Sequence, residues 1–196
     1  MKASILIMAG GKSSRMEFQD KAMLKYQGGT FLSTLYNRLK PHTGQIMVSE
    51  GKVTRQDYRN EAPEAFFVKD IYEDNGPMGG LYSALLASKE DYLYVVACDM
   101  PHMQIYLYQY LMEFDKEPYD AIIPLWDERM QPMAGIYKKR IVEKVKARME
   151  SGDNTMKHLI RSLNVCFVEV GENKWLSQML QNVNTMEEYK ELKQNE

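Results

Sequence analysis

Apolar positions fall in short blocks along this chain, and the blocks alternate between two spacings. Ile5 to Met8 is an unbroken apolar run ended by glycines, which reads as a buried strand of a parallel sheet. Ala22 to Tyr26 followed by Gly28-Gly29 predicts a short extended piece and a turn. Phe31, Leu32, Leu35, Tyr36 and Leu39 recur at helical spacing until Pro41 stops the pattern. Gln45 to Ser49 reads as a second strand, residues 53 to 60 as a polar helix, and Ala65 to Val68 as a third strand that leads into Asp70. A loop is predicted over residues 71 to 80, with an apolar helix from Leu81 to Ala87. Tyr92 to Cys98 carries the strongest strand signal and ends in Asp99-Met-Pro. A helix over residues 105 to 114 and a strand over residues 121 to 125 complete the alternation. Strands alternating with helices predict an α/β fold, a mostly parallel twisted sheet covered on both faces in three α/β/α layers.

Beyond Leu125 the rhythm loosens. Gln131 to Tyr137 reads as a strand, at an edge or a strand start because of Pro132. Residues 139 to 150 and 155 to 163 read as helices around a turn at Ser151-Gly-Asp-Asn154, and Val165 to Val170 as a last strand. A final helix is predicted over residues 186 to 192, with Thr185 as N-cap and Glu188 at the capping-box position. Repeats, linkers and low-complexity stretches are lacking, and 196 residues are expected to form one domain.

Composition narrows the partners. A net charge of −2 gives no general attraction to nucleic acid or to anionic membrane, so any cationic site must be local. The two cysteines, Cys98 and Cys166, are far apart and form no metal or redox motif, which fits a reducing compartment. No apolar stretch approaches the roughly 20 residues of a membrane span, and the N-terminus does not read as a signal peptide. A soluble cytoplasmic protein is expected.

The chemistry concentrates where predicted strands end. Gly10-Gly11 closes the first strand and is followed by Lys12, Ser13, Arg15 and Lys21. Adjacent glycines let the backbone approach an anion and the cations can neutralise it, so a phosphorylated ligand, and first among these a nucleotide, is expected. It is not a P-loop, because Leu6 stands where the first glycine must be, and it lacks the spacing of the dinucleotide fingerprint. Asp99 leaves a buried apolar strand and must be paired, metal-bound or hydrogen-bonded. On spacing alone, a magnesium ligand and a cap of the next helix fit it equally well. His102 nearby reads as an ordinary loop residue. Asp74-Asn-Gly-Pro-Met-Gly-Gly80 is a second glycine-rich element, where a flat ring could approach the backbone.

Taken together, Met8-Ala-Gly-Gly-Lys-Ser-Ser-Arg-Met, Asp20-Lys21, Asp70, Gly76-Pro-Met-Gly-Gly80, Cys98-Asp-Met-Pro101, Gln131-Pro-Met-Ala134 and Asn182-Val-Asn-Thr185 resemble the MobA family of molybdenum cofactor guanylyltransferases nearly end to end. Met8 and Met78 stand where members usually carry Leu, Met186 where they carry Pro, and Ser49 where some place an Asn that helps hold the nucleotide. The resemblance implies a Rossmann-like fold of the nucleotide-diphospho-sugar-transferase type. It also implies transfer of GMP from GTP to molybdopterin, with Mg²⁺ as cofactor and transient contact with other molybdenum cofactor proteins. By the same resemblance, residues 1 to 125 bind nucleotide and residues 126 to 196 bind the acceptor. Arg15, Lys21 and Asp99 would be catalytic, with Asp99 the metal ligand. Met8, Ala9, Gly10, Gly11, Ser13, Lys21, Asp70, Gly76, Pro77, Gly79, Gly80 and Asp99 would hold the nucleotide, and Asn182 and Asn184 the acceptor.

Three rival readings remain open at this point: a cytidylyltransferase, a sugar-phosphate nucleotidyltransferase and a non-catalytic nucleotide-binding module. The Ala9-Gly10-Gly11 run speaks against the first, which tends to carry Ala-Ala-Gly there. Arg15, Lys21 and Asp99 together speak against the last, since binding alone needs no metal carboxylate.

Overall fold

A computed structural model of the chain describes residues 2–9, 20–52, 54–72 and 75–194. In chain order the elements are β1 (Ser4–Met8), a 3-10 turn over Lys21–Met23, β2 (Lys25–Tyr26), β3 (Gly29–Thr30), α1 (Phe31–Leu39), β4 (Gln45–Gly51), α2 (Gln56–Glu61), β5 (Phe66–Lys69) and α3 (Gly76–Ala87). There follow β6 (Tyr92–Ala97), α4 (Ile105–Met112), β7 (Ala121–Trp126), β8 (Arg129–Met130), β9 (Ile136–Lys138), α5 (Val142–Glu150), α6 (Met156–Ser162), β10 (Val165–Glu169), α7 (Lys174–Met179) and α8 (Met186–Gln194).

The main sheet runs β10-β7-β9-β6-β1-β4-β5, with β8 beside β7. Pairings of β1 with β4 and β6, of β4 with β5, and of β7 with β10 are parallel, while β9 lies antiparallel between β6 and β7. Period-2 alternation sorts the apolar side chains. Ile5 and Ile7 of β1 face one layer with Leu32, Leu35 and Leu39 of α1, Tyr58 of α2 and Leu107 and Leu111 of α4. Leu6 and Met8 face the other, with Leu81 and Leu85 of α3, Val145 of α5 and Leu159 of α6. Both faces of β1 are closed, which is why its sequence is apolar without a break. A smaller cluster of Leu24, Tyr26, Phe31 and Val183 seats α8 through Tyr189, whose hydroxyl donates to the Lys25 carbonyl at 2.8 Å.

The predicted α/β/α layering is present, and the differences are local. The stretch read as a loop over residues 71 to 80 ends at Gly76, where α3 begins five residues earlier than predicted with Pro77 in its first turn. Gly76, Pro77, Gly79 and Gly80 therefore belong to a helix: proline fits a first turn, a Cβ on Gly79 would press on the Tyr72 carbonyl, and one on Gly80 would meet the end of Met8. Gln131 to Tyr137 is not one strand. A 3-10 turn over Pro132–Ala134 precedes the short antiparallel β9. Ala22 to Tyr26 likewise divides into the 3-10 turn and β2. The six-residue α7 was not predicted. The capping box of α8 is present: Glu188 N donates to Thr185 Oγ at 3.2 Å, and Glu188 Oε2 accepts from Thr185 N at 3.2 Å and from Asn184 N at 2.5 Å.

Candidate active site

The chain runs outward from β1 through β4 to β5, then returns to the other side of β1 as β6. That reversal is the point of an open α/β sheet where ligands bind, beyond the strands' C-terminal ends. Met8 lies opposite Ser49 on one side and Ala97 on the other, and Cys98 N donates to the Met8 carbonyl at 3.0 Å. Ala9 and Asp99 thus leave the sheet side by side. Gly10, Gly11, Ser13 and Arg15 lie outside the described residues.

Lys21 Nζ is 2.8 Å from Asp99 Oδ2 and 3.0 Å from Asn184 Oδ1, joining three segments separated by up to 163 positions. Asp99 and Lys21 are each only 17% exposed, so the pair is held on little solvent. Asp99 does not cap the next helix, for Gln104 occupies the position before α4. Instead its main-chain carbonyl accepts from Val183 N at 2.8 Å, which draws Asn184 to Lys21. Arg38 of α1 braces the same turn from behind, donating to the carbonyls of Pro101 at 2.7 Å and Met103 at 3.0 Å. Burial of His102 and the nearby Arg38 charge hold that imidazole below its usual range.

Lys21 is set by its neighbour. Asp20 caps the 3-10 turn, accepting from Ala22 N at 3.0 Å. Its carboxylate also receives the Tyr58 hydroxyl at 2.8 and 2.9 Å and pairs with Arg55.

On the other side of β1, Asp70 follows β5. The order β6-β1-β4-β5 puts Asp70 three strand spacings from Asp99, roughly 14 Å, a reach suited to a base at one end and a triphosphate at the other. Asp70 Oδ1 is buried without a hydrogen-bond partner among the described residues, and burial pushes the carboxyl pKa up. Gly79 of α3 lies against this carboxyl: a Cβ there would stand 3.4 Å from it and 2.9 Å from the Tyr72 carbonyl. A Cβ on Gly80 would meet Met8 Cε at 3.0 Å and Ser49 at 3.5 Å. The structure therefore gathers Met8, Ser49, Asp70, Gly79 and Gly80 along one rim, while Gly76 and Pro77 sit exposed at the start of α3.

Next to the Lys21–Asn184 contact opens a cavity of about 660 Å³, lined in part by Tyr26, His102, Trp126, Gln131, Asn182 and Asn184. Val183 is buried between the two asparagines and anchors them. His102, read from sequence as an ordinary loop residue, lines this cavity. Trp126, Arg55 and Tyr58 had no local signal, because their roles arise only from contacts across the fold.

A switch-point rim that carries a lysine–carboxylate pair, with a cavity opening beside it, has the layout of an α/β nucleotidyltransferase site. The chain belongs to the MobA-like NTP transferase family, whose domain matches residues 5–167. A protein of Clostridium perfringens (strain 13, type A), named a probable molybdenum cofactor guanylyltransferase, is 36% identical over 98% of this chain and 96% of its own. One of the same name from Peptoclostridium acidaminophilum is 28% identical over 97% of this chain and 88% of its own. Among solved structures, molybdopterin-guanine dinucleotide biosynthesis protein A from Archaeoglobus fulgidus superposes with a TM-score of 0.82 over 100% of this chain and 98% of its own. At 20% identity, that likeness shows the fold. Among the described residues no helix is long and apolar enough to cross a membrane.

Proposed function

We propose that this chain transfers GMP from GTP to molybdopterin, giving molybdopterin guanine dinucleotide and pyrophosphate in the biosynthesis of the molybdenum cofactor. The observation that carries the reading is the meeting of Lys21, Asp99 and Asn184 between the nucleotide rim and the 660 Å³ cavity. Full-length similarity to relatives named for this activity supports it.

In this reading a phosphate oxygen of the acceptor attacks the α-phosphorus of GTP. The new P–O bond forms as the bond to the β-phosphate oxygen breaks, and pyrophosphate leaves with that electron pair. Such chemistry depends on positioning and charge stabilisation more than on covalent help from the protein. Lys21 supplies positive charge at the phosphates, and Asp70 and the start of α3 receive the nucleoside. Asn182 and Asn184 face the pterin, so residues 126 to 196 serve the acceptor, with Tyr26 and His102 adding to its cavity, and residues 1 to 125 otherwise serve the nucleotide.

Among the described residues no three metal-ligand side chains cluster. Magnesium at nucleotides is typically held by only one or two carboxylates plus phosphates, so Asp99 fits it as protein ligand. When bound there, Mg²⁺ would reduce the charge that the acceptor phosphate must approach. The reaction is assigned to the cytoplasm, with molybdopterin passed on by transient contact with another cofactor protein.

The test is incubation of the protein with molybdopterin, Mg²⁺ and each nucleoside triphosphate in turn, with pyrophosphate release measured. GTP is expected to be the preferred donor. Preference for CTP, or release with a sugar phosphate in place of molybdopterin, would overturn the reading.

A further inference from the structure

We infer that Tyr58, together with Arg55, is a positioning residue that sets Lys21 by holding Asp20. This inference rests on the proposed role of Lys21 at the triphosphate.

Tyr58 lies in α2, only 1% exposed, with its ring in the core. Its hydroxyl is 2.8 and 2.9 Å from the two Asp20 carboxylate oxygens and 3.1 Å from the carbonyl of Ala9. One buried phenol therefore touches both flanks of the glycine-rich first segment: Ala9, where β1 ends, and Asp20, just before Lys21. Arg55 closes the other side. Its guanidinium pairs with Asp20, is held by Asp57 at 2.8 Å, and lies 4.4 Å above the Tyr58 ring.

What Asp20 does with this support is local. Its Oδ1 starts the 3-10 turn through Ala22 N, and its carbonyl accepts from Met23 N at 3.0 Å. Lys21 is the first residue of that turn, and its side chain spans to Asp99 and Asn184. The turn has three residues, too short to hold its own geometry. Without Asp20 fixed, the ammonium would be free to leave Asp99. A carboxylate this close to the phosphate site would also repel the nucleotide were Arg55 not neutralising it. The clamp thus does two things at once: it aims Lys21 and cancels an unwanted charge.

The variants Tyr58→Phe, Arg55→Gln and Arg55→Lys, each with and without Lys21→Ala, test this. Tyr58→Phe retains the ring packing and removes only the hydroxyl. The Kd for GTP, kcat and KM for each substrate, and the melting temperature are measured. Tyr58→Phe and Arg55→Gln are each expected to weaken GTP binding by about tenfold, with KM for molybdopterin unchanged and Arg55→Lys recovering part of the loss. In the Lys21→Ala background the same changes should cost less than about twofold, because groups that act through one another are not additive. Equal losses in both backgrounds, or wild-type GTP binding in Tyr58→Phe and Arg55→Gln beside an impaired Lys21→Ala, would overturn this inference alone. Wild-type kinetics in Lys21→Ala would overturn the functional reading and this inference with it.

Discussion

The carbonyl of Asp99 accepts a hydrogen bond from Val183 N at 2.8 Å, so the loop after the central strand β6 is tied directly to the segment before the last helix. The backbone link brings Asn184 within 3.0 Å of the Lys21 ammonium, and places the 660 Å³ cavity against the switch-point rim.

Asn184→Ala should therefore affect both substrates. It removes one of the two groups that orient Lys21 and one wall of the cavity. Asn182→Ala removes cavity lining alone. Steady-state kinetics are expected to show Asn182→Ala raising KM for molybdopterin about five- to tenfold with KM for GTP unchanged, and Asn184→Ala raising both. Identical profiles for the two variants would show that the Lys21 contact has no role.

Asp99→Asn is nearly isosteric and should fold normally. It removes the charge that faces Lys21 and that would hold Mg²⁺. The expected result is loss of most transfer, on the order of a hundredfold or more, partly recovered at high Mg²⁺. Because the structure excludes a capping role at α4, near-normal transfer at low Mg²⁺ would leave Asp99 only its ion pair with Lys21.

Asp70 carries an opposition between folding and binding. Burial raises its folded-state pKa above the unfolded value, so between those two values the folded chain binds more protons than the unfolded one. Its contribution to stability is then most favourable below the unfolded carboxyl pKa and declines as pH rises through the raised folded value. Asp70→Asn should remove this slope and stabilise the apo protein at neutral pH by about 1 kcal/mol, since an uncharged amide is easier to bury. GTP binding should weaken in the same variant. Thermal melts across pH 3 to 7, an interval set by the unperturbed Asp pKa of about 4, with a GTP titration alongside, check both signs.

The two glycines of α3 should differ in their tolerance of a methyl group. In Gly79→Ala the new carbon would stand 2.9 Å from a main-chain oxygen and close to Asp70, whereas in Gly80→Ala it meets the flexible end of Met8 at 3.0 Å. Gly79→Ala is expected to lose both stability and nucleotide affinity. Gly80→Ala should change melting little, because alanine favours the helix by up to about 1 kcal/mol and Met8 can give way.

Much of this architecture was legible because the sequence repeats its message at several levels. Ile5 to Met8 is apolar on both faces and is sealed on both faces. Phe31 to Leu39 keeps helical spacing and is a helix with those limits. Thr185 and Glu188 make the capping box that their spacing announces. The start of α3 was hidden because three glycines and a proline resemble a loop, and only the packing of Gly79 and Gly80 under Tyr72 and Met8 explains their place in a helix. The antiparallel insertion of β9 was also hidden, since a three-residue strand has no periodicity to read. In the site, Asp99, Lys21 and Asn184 could be singled out separately. Their contact at 2.8 and 3.0 Å could not, because nothing local encodes a meeting across 78 and 163 positions. Tyr58 and Arg55 left no trace for the same reason: a tyrosine in a short polar helix looks like ordinary filling until its hydroxyl is seen at Asp20.

The placement of β9 between β6 and β7 also decides how this chain can be cut. In the proposed reading the two substrate roles divide near residue 125, yet the strand that leads to Asp99 depends on its far side for hydrogen bonds from β9, residues 136 to 138. A fragment ending after β7 would turn the apolar strand β6 into a raw edge, with Leu93 and Val95 stripped of the helices α5 and α6 that share their face. Such an edge invites pairing between copies rather than an active half. The two halves proposed to bind different substrates are thus one unit of folding, and any attempt to borrow the nucleotide half for another acceptor must graft loops onto the whole sheet.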